Sequence, residues 1–558
     1  MIMHLIMECY LLFSLFSICL ASTSMPVVDL GYELHQAISL DETTQTYNFS
    51  NIRYAAPPID DRRFLPPLPP IENRTEIQNG SVGRVCPQGV PIWSAEIMVP
   101  FLESVLLGTQ FNQSGNVSDY PVVWPPGDSR ITEDCLFLDA VVPKGVFEGR
   151  SGGGDASAPV LVWINGGGYI AGDKSERDPK GLFMRSMDTG EEFIYVALNY
   201  RLGAFGWLSD TEGMANAGLY DQRLALEWVR QYIGLFGGDL SRVTVMGESA
   251  GGGSIIHQIA AVARGPNGTA DDLPFQQAII QSPTWYPLSV EQQQSNLRQF
   301  LDLLNVTSIQ EARRLPSSQL MAANAHQIAT TPVYGTFTYG PVVDGSLVPD
   351  LPSRAMLAPN FKWKNLRVMT SHTSNEGLAF TPPDGANSTA YPSIIEAYVP
   401  SLTPEVMEDI ARNFYPPRYN ISSAESLGYG SPLERTALTV SDAFFRCKNL
   451  YLNSVFDTAY ASVFNVQPAL HSQDLAFTFY NHSRPDMKVG LFDEELAFTM
   501  QDYIISFVRQ GYPSSANATD WEVYANDGHV LNMELQDVAM IADPIDKNRC
   551  RLWWNLSG

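Results

Sequence analysis

Residues 216–253 read NAGLYDQRLALEWVRQYIGLFGGDLSRVTVMGESAGGG. From Asp221 to Ile233 the positions Leu224, Ala225, Trp228, Val229 and Tyr232 follow the 3.6-residue period of a helix with one buried face. Val243-Thr244-Val245-Met246 then has the length and composition of a strand, and Gly247-Glu248-Ser249-Ala250-Gly251 follows it, opening a helix-compatible segment through Ile256. A GxSxG turn between a strand and a helix is a nucleophile elbow. Its glycines are required because the serine sits on a strained turn that leaves no room for bulk on either side, which exposes the hydroxyl at a helix N-terminus.

Working outward, Val160–Ile164, Ile194–Leu198 and Leu366–Met369 are further short apolar runs. Continuously apolar strands belong to a sheet buried on both faces, and their alternation with helices predicts a mostly parallel α/β sheet flanked by helices. Near the end, Leu496, Met500, Tyr503 and Phe507 form a second helical stripe, stopped by Gly511 and Pro513. The stretch Ser151–Ala158, SGGGDASA, reads as a surface loop, and no internal repeat or heptad run occurs.

Bulk properties exclude several classes. The 558 residues are 45% hydrophobic and 17% charged, which fits a packed globular protein. A formal charge of -25 without a basic patch argues against nucleic acid, whose phosphates need clustered Lys and Arg. The acidity is read as solubility rather than steering of cationic substrates. Length alone would suggest three or four domains.

The N-terminus predicts export. An apolar run from Leu11 to Leu20 precedes small residues, so residues 1–21 read as a signal peptide cleaved after Ala21, although the preceding segment lacks Lys and Arg. No later stretch approaches the length of a membrane span, so no transmembrane anchor is expected. Cys9 and Cys19 leave with the signal, and Cys86, Cys135, Cys447 and Cys550 remain. Four cysteines allow three pairings; nearest neighbours would give Cys86–Cys135 and Cys447–Cys550, each contributing on the order of 4 kcal/mol through loop closure. Glycosylation acceptor patterns at Asn48, Asn73, Asn79, Asn112, Asn116, Asn267, Asn305, Asn387, Asn420, Asn481, Asn517 and Asn555 suit an extracellular glycoprotein.

The opening stretch resembles the type-B carboxylesterase family, which includes cholinesterases and secreted fungal lipases. Further blocks resemble it in order: NIRYAAPP with Arg63-Phe64, EDCLFLDAVVP from Glu133, WINGGGY from Trp163, NYRLGAFGWL from Asn199 and GPVVDGSLVP from Gly340. The resemblance spans nearly the whole mature chain. It implies one large α/β-hydrolase domain over residues 22–558, in place of the three or four that length suggests, and a serine ester hydrolase without metal or cofactor.

Ester hydrolysis passes through an oxyanion that needs preorganised N–H donors. Gly166, Gly167 and Gly168 leave room for backbone to approach, and the resemblance selects Gly167 and Gly168, joined by Ala250. This fold takes its triad in the order Ser, acid, His. His257 lies in the helix after Ser249, His326 and His372 come too early for that order, His482 sits inside a glycosylation pattern, and His529 belongs to a polar turn with Asn526-Asp527-Gly528. His471 remains, in PALHSQDLAFTF after the apolar run Ser462–Val466, where it matches the family's HxxDLxF signature. For the acid, the resemblance points to Glu376 in SHTSNEGLAF, with Asp344 in VVDG as the alternative. Glu248 reads as a buried structural carboxylate.

Specificity is less legible, because loops rather than the fold set it. A small-molecule or lipid ester is the expected substrate. The Cys86–Cys135 loop resembles the family's lid and carries Trp93, Phe101, Leu106, Leu107 and Trp124, a composition compatible with a lipid interface. Trp124 lies near the position of a cation-binding tryptophan in cholinesterases, at a different spacing, and Trp285 is a candidate lining residue of an acyl pocket. Some relatives are adhesion domains that keep the core but not the chemistry; they usually lack the serine or histidine, and this chain has both.

Overall fold

The computed structural model describes residues 25–111, 128–150, 157–210, 215–263, 273–285, 288–330, 333–359, 361, 363–420, 427–483, 493–516, 518–524 and 528–556. The signal peptide, Trp124 and most of the Ser151–Ala158 loop lie outside these residues.

Eleven strands form the central sheet: β1 (Ser39–Asp41), β2 (Thr46–Arg53), β3 (Phe137–Pro143), β4 (Ala158–Ile164), β5 (Ile194–Leu198), β6 (Gly238–Glu248), β7 (Gln277–Gln281), β8 (Arg367–Thr373), β9 (Thr458–Phe464), β10 (His529–Glu534) and β11 (Asp537–Ala542). Their spatial order is β11-β10-β9-β8-β7-β6-β4-β5-β3-β2-β1. The strands from β5 to β10 pair in parallel, and antiparallel strands close both edges. Every residue of β4, β5 and β7 is buried, which accounts for the uninterrupted apolar sequences of β4 and β5, while β7 buries Gln277 and Gln281 at its ends. His529, expected in a polar turn, opens β10 opposite Ala542 because the edge pairing continues to that residue.

The helices that matter for the site are α1 (Val99–Leu107), α2 (Ala217–Tyr232), α3 (Ala250–Ala263), α4 (Cys447–Val455) and α5 (Glu494–Gln510). Alternate strand residues divide the core into two layers. Val160, Val162, Val243 and Val245 pack on the side of α2 and α3, whereas Leu161, Trp163 and Met246 pack with Leu496, Met500, Tyr503 and Phe507 of α5. One sheet with two helical faces makes a single domain of the α/β-hydrolase type. No helix among the described residues is long and apolar enough to cross a membrane.

Several sequence blocks prove to be ties between distant segments. Arg63 grips Glu133 through two hydrogen bonds of 2.7 and 2.8 Å, and Arg201 grips Asp221 through two of 2.7 Å, all four side chains buried. A buried charge is tolerated when it is paired in this two-pronged way. Asn216, left-handed at φ 54, donates to the Val342 carbonyl at 2.8 Å and to Asp344 at 2.7 Å, pinning the start of α2 to the GPVVDG block. Disulfides join Cys86 to Cys135 and Cys447 to Cys550 across 49 and 103 residues. Asn481 is buried, with Oδ1 accepting from Ser483, whereas Asn73, Asn79, Asn305, Asn387, Asn420 and Asn555 are exposed.

Candidate active site

The glycine-rich turn after β4, Ser249 after β6, Glu376 after β8 and His471 after β9 all lie beyond the carboxyl ends of parallel strands. Open α/β sheets assemble their sites at that edge.

Ser249 bridges β6 and α3 at φ 56, a conformation held by its N–H donating to the Gln281 carbonyl at 3.0 Å and by its own carbonyl accepting from Gly253 and Thr284. The flanking glycines are sterically obligatory. A Cβ on Gly251 would stand 2.1 Å from the Ile164 carbonyl oxygen, and one on Gly247 would stand 2.7 Å from the Gly251 backbone. Strain of this kind persists only where the surroundings over-determine it.

His471 reaches the serine from the loop after β9. The Asn375 N–H, donating to the Ala469 carbonyl at 3.0 Å, fixes this loop against the segment bearing Glu376. The imidazole Nε2 lies 2.9 Å from Ser249 Oγ, and Nδ1 lies 2.6 Å from Glu376 Oε2. The tautomer that satisfies both contacts carries its proton on Nδ1, donates to the carboxylate and accepts from the hydroxyl. Glu376 is fully buried, and its second oxygen accepts from the Thr373 N–H at 2.7 Å. Burial opposes ionisation of Glu376, but the neighbouring imidazole and this N–H outweigh it and hold its carboxyl below the usual carboxylate range. Phe380 and Phe445 wall the imidazole, their centroids 5.1 and 4.7 Å from its own.

A second carboxylate stands closer than the sequence indicated. Glu248 Oε1 is 3.3 Å from His471 Nε2 and accepts from the Ser472 hydroxyl at 2.5 Å. Burial would lower the imidazole's pKa, but Glu248 and Glu376 together overcome that and raise it to about 9. Asp474, also buried nearby, is pushed up to about 7 by burial and by the charge of Glu248. A general base works when neutral, so a raised pKa moves the rising limb of a pH–rate profile upward. Glu248→Gln removes one source of that rise; kcat/KM against pH is expected to keep its shape with the limb displaced downward by about one unit or more. A limb that stays in place would show that Glu248 does not act on the imidazole.

The turn after β4 has Gly167 at φ 95 and Gly168 at φ 61. A Cβ on Gly167 would meet the Ala171 carbonyl oxygen at 2.2 Å, one on Gly168 the Phe337 ring at 2.4 Å, and one on Gly166 the Ser249 Cβ at 3.2 Å. The turn therefore presses against the serine. Among the described residues the Gly167 and Gly168 N–H groups have no acceptor, and Ala250 opens α3, where first-turn amides lack intrahelical acceptors. These amides can receive a developing negative charge. A cleft of about 390 Å³ joins Gly167, Gly168, Ser249 and His471, with Trp93 and Phe337 among its walls.

Other candidates fall elsewhere. Asp344 is occupied by Asn216 and by the Ser346 and Val348 N–H groups, so it serves the α2 anchor. His257 is buried in α3 with Nδ1 against the Gly253 carbonyl. Trp285 borders a second cavity rather than the cleft around Ser249. Phe101 is buried, whereas Leu106 and Leu107 on α1 are exposed. Of the walls, the sequence singles out Trp93 but not the others: Phe380 lies four residues after Glu376, and nothing in the sequence marks Phe337. No cluster of ligating side chains suited to a metal occurs among the described residues.

The chain is similar to known proteins over most of its length. The model of the carboxylesterase family matches residues 35–553. The chain is similar to the carboxylesterase patB of Penicillium expansum, 38% identical over 556 residues that cover 95% of this chain and 96% of that one. It is also similar to a secreted lipase of Arthroderma benhamiae, 28% identical over 76% of this chain and 83% of the lipase. Among solved structures, that of Aspergillus niger EstA superposes with a TM-score of 0.75 at 25% identity, covering 96% of this chain and 98% of the other.

Proposed function

The chain belongs to the carboxylesterase family and is a carboxylic ester hydrolase, and from that premise we propose that Ser249, His471 and Glu376 carry a two-step acyl transfer. Ser249 Oγ attacks the ester carbonyl while its proton passes to His471 Nε2. The carbonyl oxygen, now negative, is stabilised by the N–H groups of Gly167, Gly168 and Ala250. Collapse expels the alcohol, protonated by His471, and leaves an acyl-serine. Water then gives its proton to the same nitrogen and attacks the acyl carbon, releasing the acid and restoring the hydroxyl. Glu376 stays ionised, fixes the tautomer and stabilises the imidazolium.

The observation that carries this reading is the continuous line from Ser249 Oγ to Nε2 at 2.9 Å and from Nδ1 to Glu376 at 2.6 Å. A fluorophosphonate reacts only with an activated serine, so it is expected to label Ser249 alone, with loss of ester hydrolysis in step with labelling. Label on another residue would reassign the nucleophile.

A lipase reading has one observation of its own. Leu107 is 75% exposed, and Leu106 and Val99 on the same helix α1 are more than half exposed, an apolar edge suited to a lipid interface. Emulsified triglyceride turned over faster than a monomeric short-chain ester would favour it, and the reverse would favour an esterase. We also propose export as a glycosylated mature domain of residues 22–558, supported by the Leu11–Leu20 run, two disulfides, exposed acceptor asparagines and the secreted fungal relative. An exported protein whose N-terminus is not Ser22 would refute the cleavage site.

A further inference from the structure

A second cavity, of about 580 Å³, lies beside the cleft, and Phe337 is a wall of both. Its lining is mainly apolar and neutral polar, but it includes one cation. Lys448 of α4 is buried, its Nζ donating to the Trp285 carbonyl at 2.8 Å and standing 4.1 Å above the centre of the Trp285 ring. No carboxylate pairs with it among the described residues. An ammonium has three N–H donors, and one carbonyl with the ring faces of Trp285 and, at 5.6 Å, Phe444 are poor compensation for taking it out of water. The other buried cations described above, Arg63 and Arg201, each have a two-pronged carboxylate. The Thr338 hydroxyl, buried and without a hydrogen-bond partner among the described residues, borders the same space.

This cation is tied to the nucleophile by a short route. Thr284 N–H donates to the Ser249 carbonyl at 3.1 Å, and the next residue is Trp285, whose carbonyl holds Lys448 Nζ. Two residues of extended chain span about 7 Å, so Nζ lies no more than about 13 Å from the Ser249 carbonyl oxygen. Other charges nearby are few. Glu291, exposed, is the one acidic side chain among the lining residues, and His257 stands edge-on to Trp285 with ring centroids 5.3 Å apart, held neutral by burial with its pKa lowered to about 4. Asp442, earlier on the same segment, is engaged by Arg446.

We propose that this cavity takes the free carboxylate of the substrate, so that the preferred esters are monoesters of dicarboxylic acids, with Lys448 supplying the matching charge and Thr338 a hydroxyl donor. The inference rests on the Ser249 hydrolase reading and adds a substrate class to it. Burial lowers the Lys448 pKa well below that of a free lysine, so the amine takes its full charge where an anion accompanies it. The bound pair would be a charge-assisted hydrogen bond shielded from water. Phe337 would then separate the reacting carbonyl from the anchored end.

The test compares 4-nitrophenyl monoesters of adipic and suberic acid with 4-nitrophenyl hexanoate and octanoate, which have the same chain lengths without the second carboxylate. In the wild-type protein kcat/KM is expected to favour the monoesters, and Lys448→Met is expected to reduce the ratio of monoester to uncharged ester tenfold or more, mainly through KM. A ratio within twofold of wild type in a folded variant would overturn the inference. If the variant does not fold, competition in the wild-type protein decides: suberate should inhibit octanoate hydrolysis competitively where octane-1,8-diol does not, and equal effects of the two would overturn it. Failure to hydrolyse either ester, or turnover that survives Ser249→Ala, would instead strike at the hydrolase reading.

Discussion

Ser249→Ala is expected to lower kcat on short-chain aryl esters by about 10⁴-fold or more, the scale seen when the nucleophile of a serine hydrolase is removed. The substitution deletes the one oxygen that forms the acyl bond. It leaves the amides of Gly167, Gly168 and Ala250 in place, so a residue of catalysis from oxyanion stabilisation should persist. The fold should hardly notice. The elbow is maintained by backbone bonds to Gln281, Gly253 and Thr284, none of which uses the hydroxyl. Alanine also keeps the Cβ that already sits at φ 56, adding no new strain. Steady-state rates and a thermal melt on the same preparation separate the two effects. Turnover within tenfold of wild type in a protein that melts normally would remove Ser249 from the mechanism.

The contrast between what that elbow needs and what the rest of the cleft needs explains how far the sequence could be read. Gly247 and Gly251 are legible because backbone crowding is absolute: a Cβ 2.1 Å from the Ile164 carbonyl oxygen allows no alternative residue. The buried strands β4 and β5 are legible for a similar reason, since two covered faces demand an unbroken apolar run; β7, equally buried but bounded by Gln277 and Gln281, carries no such run. Glu376 is different. Nothing local distinguishes it from Asp344, and the resemblance alone selected it. The distinction is tertiary: Asn216 occupies Asp344, whereas the β8–β9 pairing sets Glu376 beside the loop that carries His471.

Glu248 and Lys448 were less legible still. A glutamate next to a buried serine reads as structure, and its 3.3 Å approach to His471 depends on a loop 223 residues away in the chain. A lysine between Cys447 and Asn449 reads as surface, because lysine is rarely buried without a partner. Only the packing of α4 against Trp285 brings it inside. Sequence patterns report local steric demands well and the meeting of distant charged groups poorly, and the residues that tune this site are of the second kind.

Glu376→Gln is expected to cost about 10³–10⁴-fold in kcat while preserving the fold. Glutamine is nearly isosteric, and its amide oxygen can still accept from the Thr373 N–H, which bonds to Oε1 in the native protein. The NH₂ group would then face His471 Nδ1 as a donor. It can pair only with an unprotonated Nδ1, which places the ring proton on Nε2, where Ser249 needs an acceptor. The base is thereby held in the unproductive tautomer. The substitution also removes one of the two carboxylates that raise the imidazole pKa, so the remaining activity should rise at lower pH than in the wild type. Glu248 cannot substitute, because it stands near Nε2 rather than Nδ1. The melting temperature and the pH profile are both needed, since a collapsed site would lose rate without moving the limb. A folded Glu376→Gln protein with kcat within threefold of wild type would mean that the imidazole is oriented by something other than the 2.6 Å contact with this carboxylate.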